Sequence, residues 1–276
     1  MNPNKSIGIF DSGVGGLTVC KAVRSLLPHE NIIYLGDTAR VPYGSRSAQT
    51  VVQYAQMVAG HLSRYDLKAL VVACNTATTW ALELLQKAGS RYNIKVIGVI
   101  EPGVKSAVNQ NNNGTIGVIG TEGTILGKAY DRALQQHTSA PFVTRSCPLF
   151  VPLVEEGWLS GPITESILRH YLDPIIPQIN TLILGCTHYP LLLPSLESIY
   201  PDITFVDSAQ STALELKKVL VEHNIEKSAQ SIGETKYLVT DNLERFANVG
   251  YRFLGYHPNP ISHINLTADD LRRFLP

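Results

Sequence analysis

The chain has 276 residues, enough for one large domain or two compact ones with a substantial core. Hydrophobic residues make up 44% and charged residues 17%, which excludes a disordered chain. Lysine plus arginine balance aspartate plus glutamate at 23 each, so neither a nucleic-acid partner nor a polybasic membrane patch is expected.

In chain order, short β-rich runs alternate with longer helical patterns. The opening MNPNKSIGIFDSG enters an apolar strand pattern at SIGIF (6–10), without a basic start and long apolar stretch, and no signal peptide is expected. Further candidate strands are NIIYL (31–35), ALVVA (69–73), KVIGV (95–99), TIGVI (115–119), FVTR (142–145), TLILG (181–185), ITFVD (203–207) and KYLVT (236–240). Helix-like segments lie at 15–27, 47–64, 77–90, 123–137, 161–176 and 210–223. Several strand runs are nearly all apolar, as parallel strands covered on both faces are. Such alternation predicts an α/β fold with mainly parallel sheets. QNNNGT (110–115) is the clearest polar break. No run of about 18 apolar residues occurs, so no membrane span is expected.

A weak repeat runs through the chain. IGIFDSGVG (7–15) resembles IGVIGTEGT (116–124), and ALVVACNTA (69–77) resembles TLILGCTHY (181–189), in the same order and at nearly equal offsets. Two copies of one α/β unit, each with one cysteine, explain this. The expected division is 1–98 plus 208–276 for the first domain, carrying Cys74, and 99–207 for the second, carrying Cys186.

The four cysteines, Cys20, Cys74, Cys147 and Cys186, match no disulfide framework, and a reducing cytoplasm is the expected setting. Cys74 and Cys186 both follow a strand, at the sheet edge where ligands bind in open α/β folds. A helix start there is expected to favour the thiolate, below the free thiol value of about 8.5. Either cysteine alone could be a buried structural residue. Two in equivalent places of a repeat point to chemistry, whereas Cys20 and Cys147 read as structural. Two facing thiols suit inversion of a carbon centre, with a proton removed on one face and returned on the other.

DSGVGG (11–16) follows the first strand, and its successive N–H groups suit a carboxylate. The spacing is not G-x-G-x-x-G, and no dinucleotide cofactor is expected. Asp11 is either a helix cap or a partner of Cys74. His188 is either a hydrogen-bonded structural residue or a partner of Cys186. Cys186 and His188 supply only two zinc ligands, with no C-x-x-C to complete the set, so no metal is expected. Asn75, Thr76 and Thr187 place neutral donors beside the thiols.

Together DSGVGG at 11–16, PYG at 42–44, ACNTAT at 73–78 and GCTHYP at 185–190 resemble the glutamate racemases of the aspartate/glutamate racemase family, in the expected order and over most of the chain. The resemblance implies two α/β domains with the site in the cleft between them. It implies a cofactor-independent isomerase acting on glutamate, with Cys74 and Cys186 on opposite faces of the substrate, Asp11 assisting Cys74 and His188 assisting Cys186. Asp11, Ser12, Tyr43, Gly44, Asn75, Thr76, Thr187 and His188 would line the substrate site. Thr121, matching Ser12 in the repeat, is a further candidate, and Glu155 in FVPLVEEGW has an open role. His188 stands where related aspartate racemases carry an acidic residue, which favours glutamate. The implied product, D-glutamate, serves peptidoglycan synthesis, cell-wall biogenesis and cell shape. Some members carry an N-terminal extension linked to activation by a peptidoglycan precursor; the first strand pattern here starts at about residue 6, and that control is not expected. A homodimer is the expected assembly.

Two other classes of function compete. A cysteine hydrolase would use Cys186 as nucleophile and His188 as base, leaving Cys74 without a purpose. A phosphatase-type loop fails, because Trp80 and Leu192 stand where arginine would be required. A non-enzymatic module binding a small anion would keep its ligand after loss of either cysteine.

Overall fold

The computed structural model describes residues 2–112, 114–228 and 231–275; Asn113, within the expected polar break, lies outside them. Ten strands are present among the described residues: β1 (Ser6–Asp11), β2 (Ile32–Gly36), β3 (Leu67–Val72), β4 (Lys95–Gly98), β5 (Ile116–Gly120), β6 (Phe142–Ser146), β7 (Thr181–Gly185), β8 (Thr204–Asp207), β9 (Thr235–Val239) and β10 (Ile261–His263). They form two sheets, ordered β10-β9-β2-β1-β3-β4 and β6-β5-β7-β8, with parallel neighbours throughout. The order β2-β1-β3-β4 recurs as β6-β5-β7-β8, so the two sheets repeat one topology. Nine strands lie where the apolar runs predict them. The tenth, β10, has only three residues and follows Pro260, too little pattern to be seen in sequence.

The connecting helices are α1 (Leu17–Leu26), α2 (Ala48–Leu62), α3 (Asn75–Arg91), α4 (Ile100–Gln110), α5 (Glu122–Leu126), α6 (Ala129–His137), α7 (Phe150–Glu156), α8 (Pro162–Leu172), α9 (Leu193–Ile199), α10 (Ser208–Glu222), α11 (Leu243–Leu254) and α12 (Ala268–Arg273). They cover both faces of each sheet. Alternate residues of β1 show why the strand reads as continuously apolar. Ile7 and Ile9 enter one core with Val19, Val23, Leu216 and Leu220. Phe10 enters another with Val51, Val58, Ala81 and Leu85. In the second sheet Val118 and Ile183 pack with Val104, Tyr130 and Leu134, while Ile119 and Leu184 face Phe150, Leu153 and Leu196. Each such side chain stabilises by about 1.5–3 kcal/mol when fully buried.

Two departures from the expected elements have local causes. The helix expected over 123–137 is broken after Leu126, with Lys128 at φ 53°. Gly127 passes so close to Thr79 and Trp80 of α3 that a Cβ there would collide. Helix α4 was hidden by Pro102 and Gly103, residues that usually argue against a helix. Pro102 sits in the first turn, whose N–H groups need no helical partner.

Gly60 on α2 marks another close approach, since a Cβ there would overlap the Asp270 carbonyl of α12. Gly60→Ala is expected to cost about 1–3 kcal/mol as α12 is pushed off, read as an earlier urea midpoint in equilibrium unfolding.

Candidate active site

Strand register brings the chemistry-bearing loops to one sheet edge in each half. Asp11 pairs with Gly36 at the end of β1, and Gly120 pairs with Gly185 at the end of β5. Cys74 caps the N-terminus of α3, and Cys186 follows β7 directly. The two carboxyl edges face each other across a narrow cavity lined by residues of both halves. Ser12, Tyr43, Gly44, Cys74, Asn75, Thr76, Thr121, Cys186, Thr187 and His188 all contribute to it. Its free volume is about 20 Å³, room for a single water.

All but one of the candidate residues thus share one cavity. The exception, Asp11, lies behind it, fully buried. Its Oδ2 accepts from the Gly13 N–H at 2.9 Å, and its Oδ1 accepts from the Thr187 hydroxyl at 3.3 Å. The Gly16 N–H also supports the carboxylate. The DSGVGG turn therefore turns two of its N–H groups onto its own aspartate, rather than leaving them all for an outside anion. Burial pushes the Asp11 carboxyl up, against the opposing pull of His188, Gly13, Gly16 and Thr187. Gly15 allows the halves to meet here, because a Cβ would strike Thr187 and His188.

The thiols differ in surroundings. Cys74 Sγ accepts the Ala77 N–H at 3.5 Å and lies 3.8 Å from Ser12 Oγ. The helix start was expected to lower this thiol, and the structure corrects that expectation. Burial and the neighbouring Asp11 carboxylate push it up to about 12, outweighing the Ala77 N–H and Ser12. Cys186 does not cap an α-helix; Pro190 lies in a single 3₁₀ turn over Tyr189–Leu192, and α9 begins only at Leu193. What stands beside Cys186 is His188, with Nδ1 4.0 Å from Sγ.

His188 Nε2 lies 3.2 Å from Glu155 Oε1. Burial disfavours the charged ring, yet Cys186, Glu155 and Asp11 together hold His188 up at about 10. Burial would raise Glu155, but His188 and Arg245 bring it below the usual carboxylate range. Arg245, from α11, lies 3.5 Å from Glu155 Oε2 and 3.2 Å from Glu156 Oε1. Glu155 is thus the third member of a thiol, imidazole and carboxylate row.

The remaining lining groups are neutral donors. Thr76, Thr121 and Thr124 hydroxyls form a triangle of 2.9–3.1 Å contacts joining α3 to the α5 cap. Gly44 fits against Thr121 with no room for a Cβ. Tyr43 borders the cavity, but its hydroxyl is spent on buried Asp37, donating at 2.5 Å. Sequence reasoning missed Val41, Pro42 and Val151 in the lining. Pro42 is the first residue of the PYG motif and Val41 precedes it, so the motif pointed to both; Val151 is an apolar helix residue with no signal of its own. Among the described residues no group of three or more His, Cys, Asp or Glu side chains could hold a metal, and no helix is long and apolar enough to cross a membrane.

Comparison with known proteins agrees with this architecture. The family described as Asp/Glu/Hydantoin racemase matches residues 15–216. A glutamate racemase of Geobacter metallireducens is 46% identical over 270 residues, 97% of this chain and 99% of that protein. The crystal structure of a Bacillus anthracis glutamate racemase isoform superposes with a TM-score of 0.91 at 38% identity, covering 96% of this chain and 99% of that one. A Francisella tularensis glutamate racemase in complex with D-glutamate gives 0.87 at 36% identity, with 96% and 98% covered. Carrying that family's match over most of its length, on a doubled parallel α/β fold with one thiol from each half at the shared cavity, the chain belongs to the Asp/Glu racemase family, as an amino-acid racemase of the glutamate racemase type.

Proposed function

We propose that the protein interconverts L- and D-glutamate by moving the α-proton between Cys186 and Cys74 without a cofactor. The observation that carries this reading is one thiol from each half lining a single cavity, each followed by neutral donors. The two halves so divided are 1–98 plus 208–276, carrying Cys74, and 99–207, carrying Cys186.

In one direction Cys186, as thiolate, takes the α-proton and becomes a thiol. The electron pair left on the α-carbon then accepts the Cys74 proton on the opposite face, leaving Cys74 as thiolate. Nothing is oxidised or reduced, and the reverse reaction exchanges the roles. Unequal surroundings support this starting assignment. Protonated His188 places a positive charge beside Cys186, while burial and Asp11 keep Cys74 protonated. Asn75, Thr76, Thr121 and Thr187 supply neutral hydrogen-bond donors for the substrate's carboxylates. Glutamate has ten heavy atoms, so the cavity must widen to admit it. The reading extends to a cytoplasmic setting in which the D-glutamate made serves peptidoglycan synthesis.

Incubation with L-glutamate in D₂O, without added cofactor, is expected to place deuterium at the α-carbon while optical rotation decays to zero. Absence of exchange with glutamate, aspartate and other small amino acids would overturn the reading. A cysteine hydrolase acting through Cys186 and His188 would leave rotation unchanged.

A further inference from the structure

Asn75 is the first residue of α3, next to Cys74, and it is buried. Its Oδ1 accepts a hydrogen bond from the Tyr130 hydroxyl at 2.8 Å. Among the described residues its Nδ2, equally buried, has no partner. A buried amide N–H₂ left without an acceptor costs about 1–3 kcal/mol, so a fold that retains one points to an acceptor arriving from elsewhere. Asn75 lines the cavity between the thiols.

Tyr130 is not itself a lining residue. It lies on α6 of the second half, 1% exposed, within the core made by α4, α6 and the second sheet. Its ring lies against Gly185, the residue before Cys186. A Cβ built there would sit only 3.0 Å from Tyr130 Cε2. One side chain therefore abuts the backbone that carries Cys186 and, with its hydroxyl, grips the residue that follows Cys74. As a phenol it can offer Asn75 its single O–H, and that bond leaves the amide nitrogen directed away from Tyr130.

We propose that Tyr130 is a positioning residue that fixes the Asn75 amide so that Nδ2 donates to a carboxylate of the bound amino acid, a role that rests on the racemase reading above. Contact with the substrate belongs to Asn75; Tyr130 acts through it. An interaction of this kind, made equally to the ground state and the transition state, appears in KM rather than in kcat.

Tyr130→Phe keeps the ring on Gly185 and removes only the hydroxyl. It is expected to raise KM for glutamate about tenfold while kcat stays within about threefold, the scale of one lost oriented hydrogen bond. Asn75→Ala should raise KM comparably, and the double variant should be no worse than Asn75→Ala alone. Unchanged KM in Tyr130→Phe, or effects that multiply in the double variant, would overturn the proposal. A purely structural role would instead lower the fraction of active enzyme and the melting temperature with KM unaltered. If Tyr130→Phe does not fold, Asn75→Asp decides: it retains an oxygen for Tyr130 but faces the substrate with an acceptor. A large rise in KM supports the proposal and an unchanged KM refutes it. Turnover by the wild-type protein separately tests the racemase reading, so failure of either is distinguishable.

Discussion

Cys74→Ser and Cys186→Ser are each expected to lower the inversion of glutamate by about 10³-fold, the middle of the range for a single general acid or base. An alcohol is a far weaker acid than a thiol, and serine in the same place can neither hold the anion nor release the proton at the required rate. The remaining thiol still faces one side of the α-carbon. Each variant should therefore exchange the α-proton of one enantiomer with solvent deuterium without inverting it, and the two variants should prefer opposite enantiomers. Proton NMR in D₂O combined with polarimetry reads both quantities. Wild-type turnover in either variant would end the two-thiol mechanism while leaving the activity to be explained otherwise. The surroundings add a direction: burial and the Asp11 carboxylate push Cys74 up to about 12. An alkylating reagent, which needs a thiolate, should therefore label Cys74 only slowly at neutral pH and faster as the pH rises toward 12.

The second large effect concerns stability. Lys68 on β3 is wholly buried, with Nζ 2.5 Å from Glu30 Oε2. The same ammonium donates to the carbonyls of Pro3 at 2.6 Å and Ile225 at 2.8 Å, while Glu30 Oε1 accepts the Lys227 N–H at 2.8 Å. One ion pair thus ties the start of the chain, the turn before β2 and the segment after α10 to a single strand. Burial lowers Lys68 and Glu30 pulls it back, as expected of a desolvated pair. Lys68→Met leaves Glu30 buried without its counter-charge, at a cost of about 3–5 kcal/mol. For a chain of this size that corresponds to roughly 10 °C in melting temperature. Adding Glu30→Gln to Lys68→Met should recover part of the loss, because the unpaired charge is gone. A single variant that melts within about 2 °C of wild type would show that the three segments are held by their other contacts.

Much of the architecture was legible in the chain. Nine strands were visible because parallel strands covered by helices on both faces must be apolar at nearly every position, as Ile7, Ile9 and Phe10 show by facing two separate cores. The doubled topology was visible because each copy keeps the same strand-end pattern, with a thiol after the third strand of each sheet. The small residues around the site were visible as motifs, since close approaches at Gly15 and Gly44 leave no room for a side chain. Helix α4 with Pro102 and Gly103 in its first turns, a three-residue strand and a helix broken by contact with α3 were not legible, because each depends on a neighbour supplied by another part of the fold.

By itself, then, the sequence determined the fold class and the candidate thiols and donors, because these follow from periodicity and from residue types at strand ends. Tertiary structure alone decided how those groups are tuned. It set Asp11 behind the cavity rather than in it, with its carboxylate on Gly13 and Thr187. It reversed the expected effect of the helix start on Cys74, because desolvation outweighs a terminal N–H. It also joined Glu155 to His188 and Tyr130 to Asn75, pairs 33 and 55 residues apart. Burial and hydrogen-bond partnership are properties of the packed chain, and no local pattern of residues encodes them.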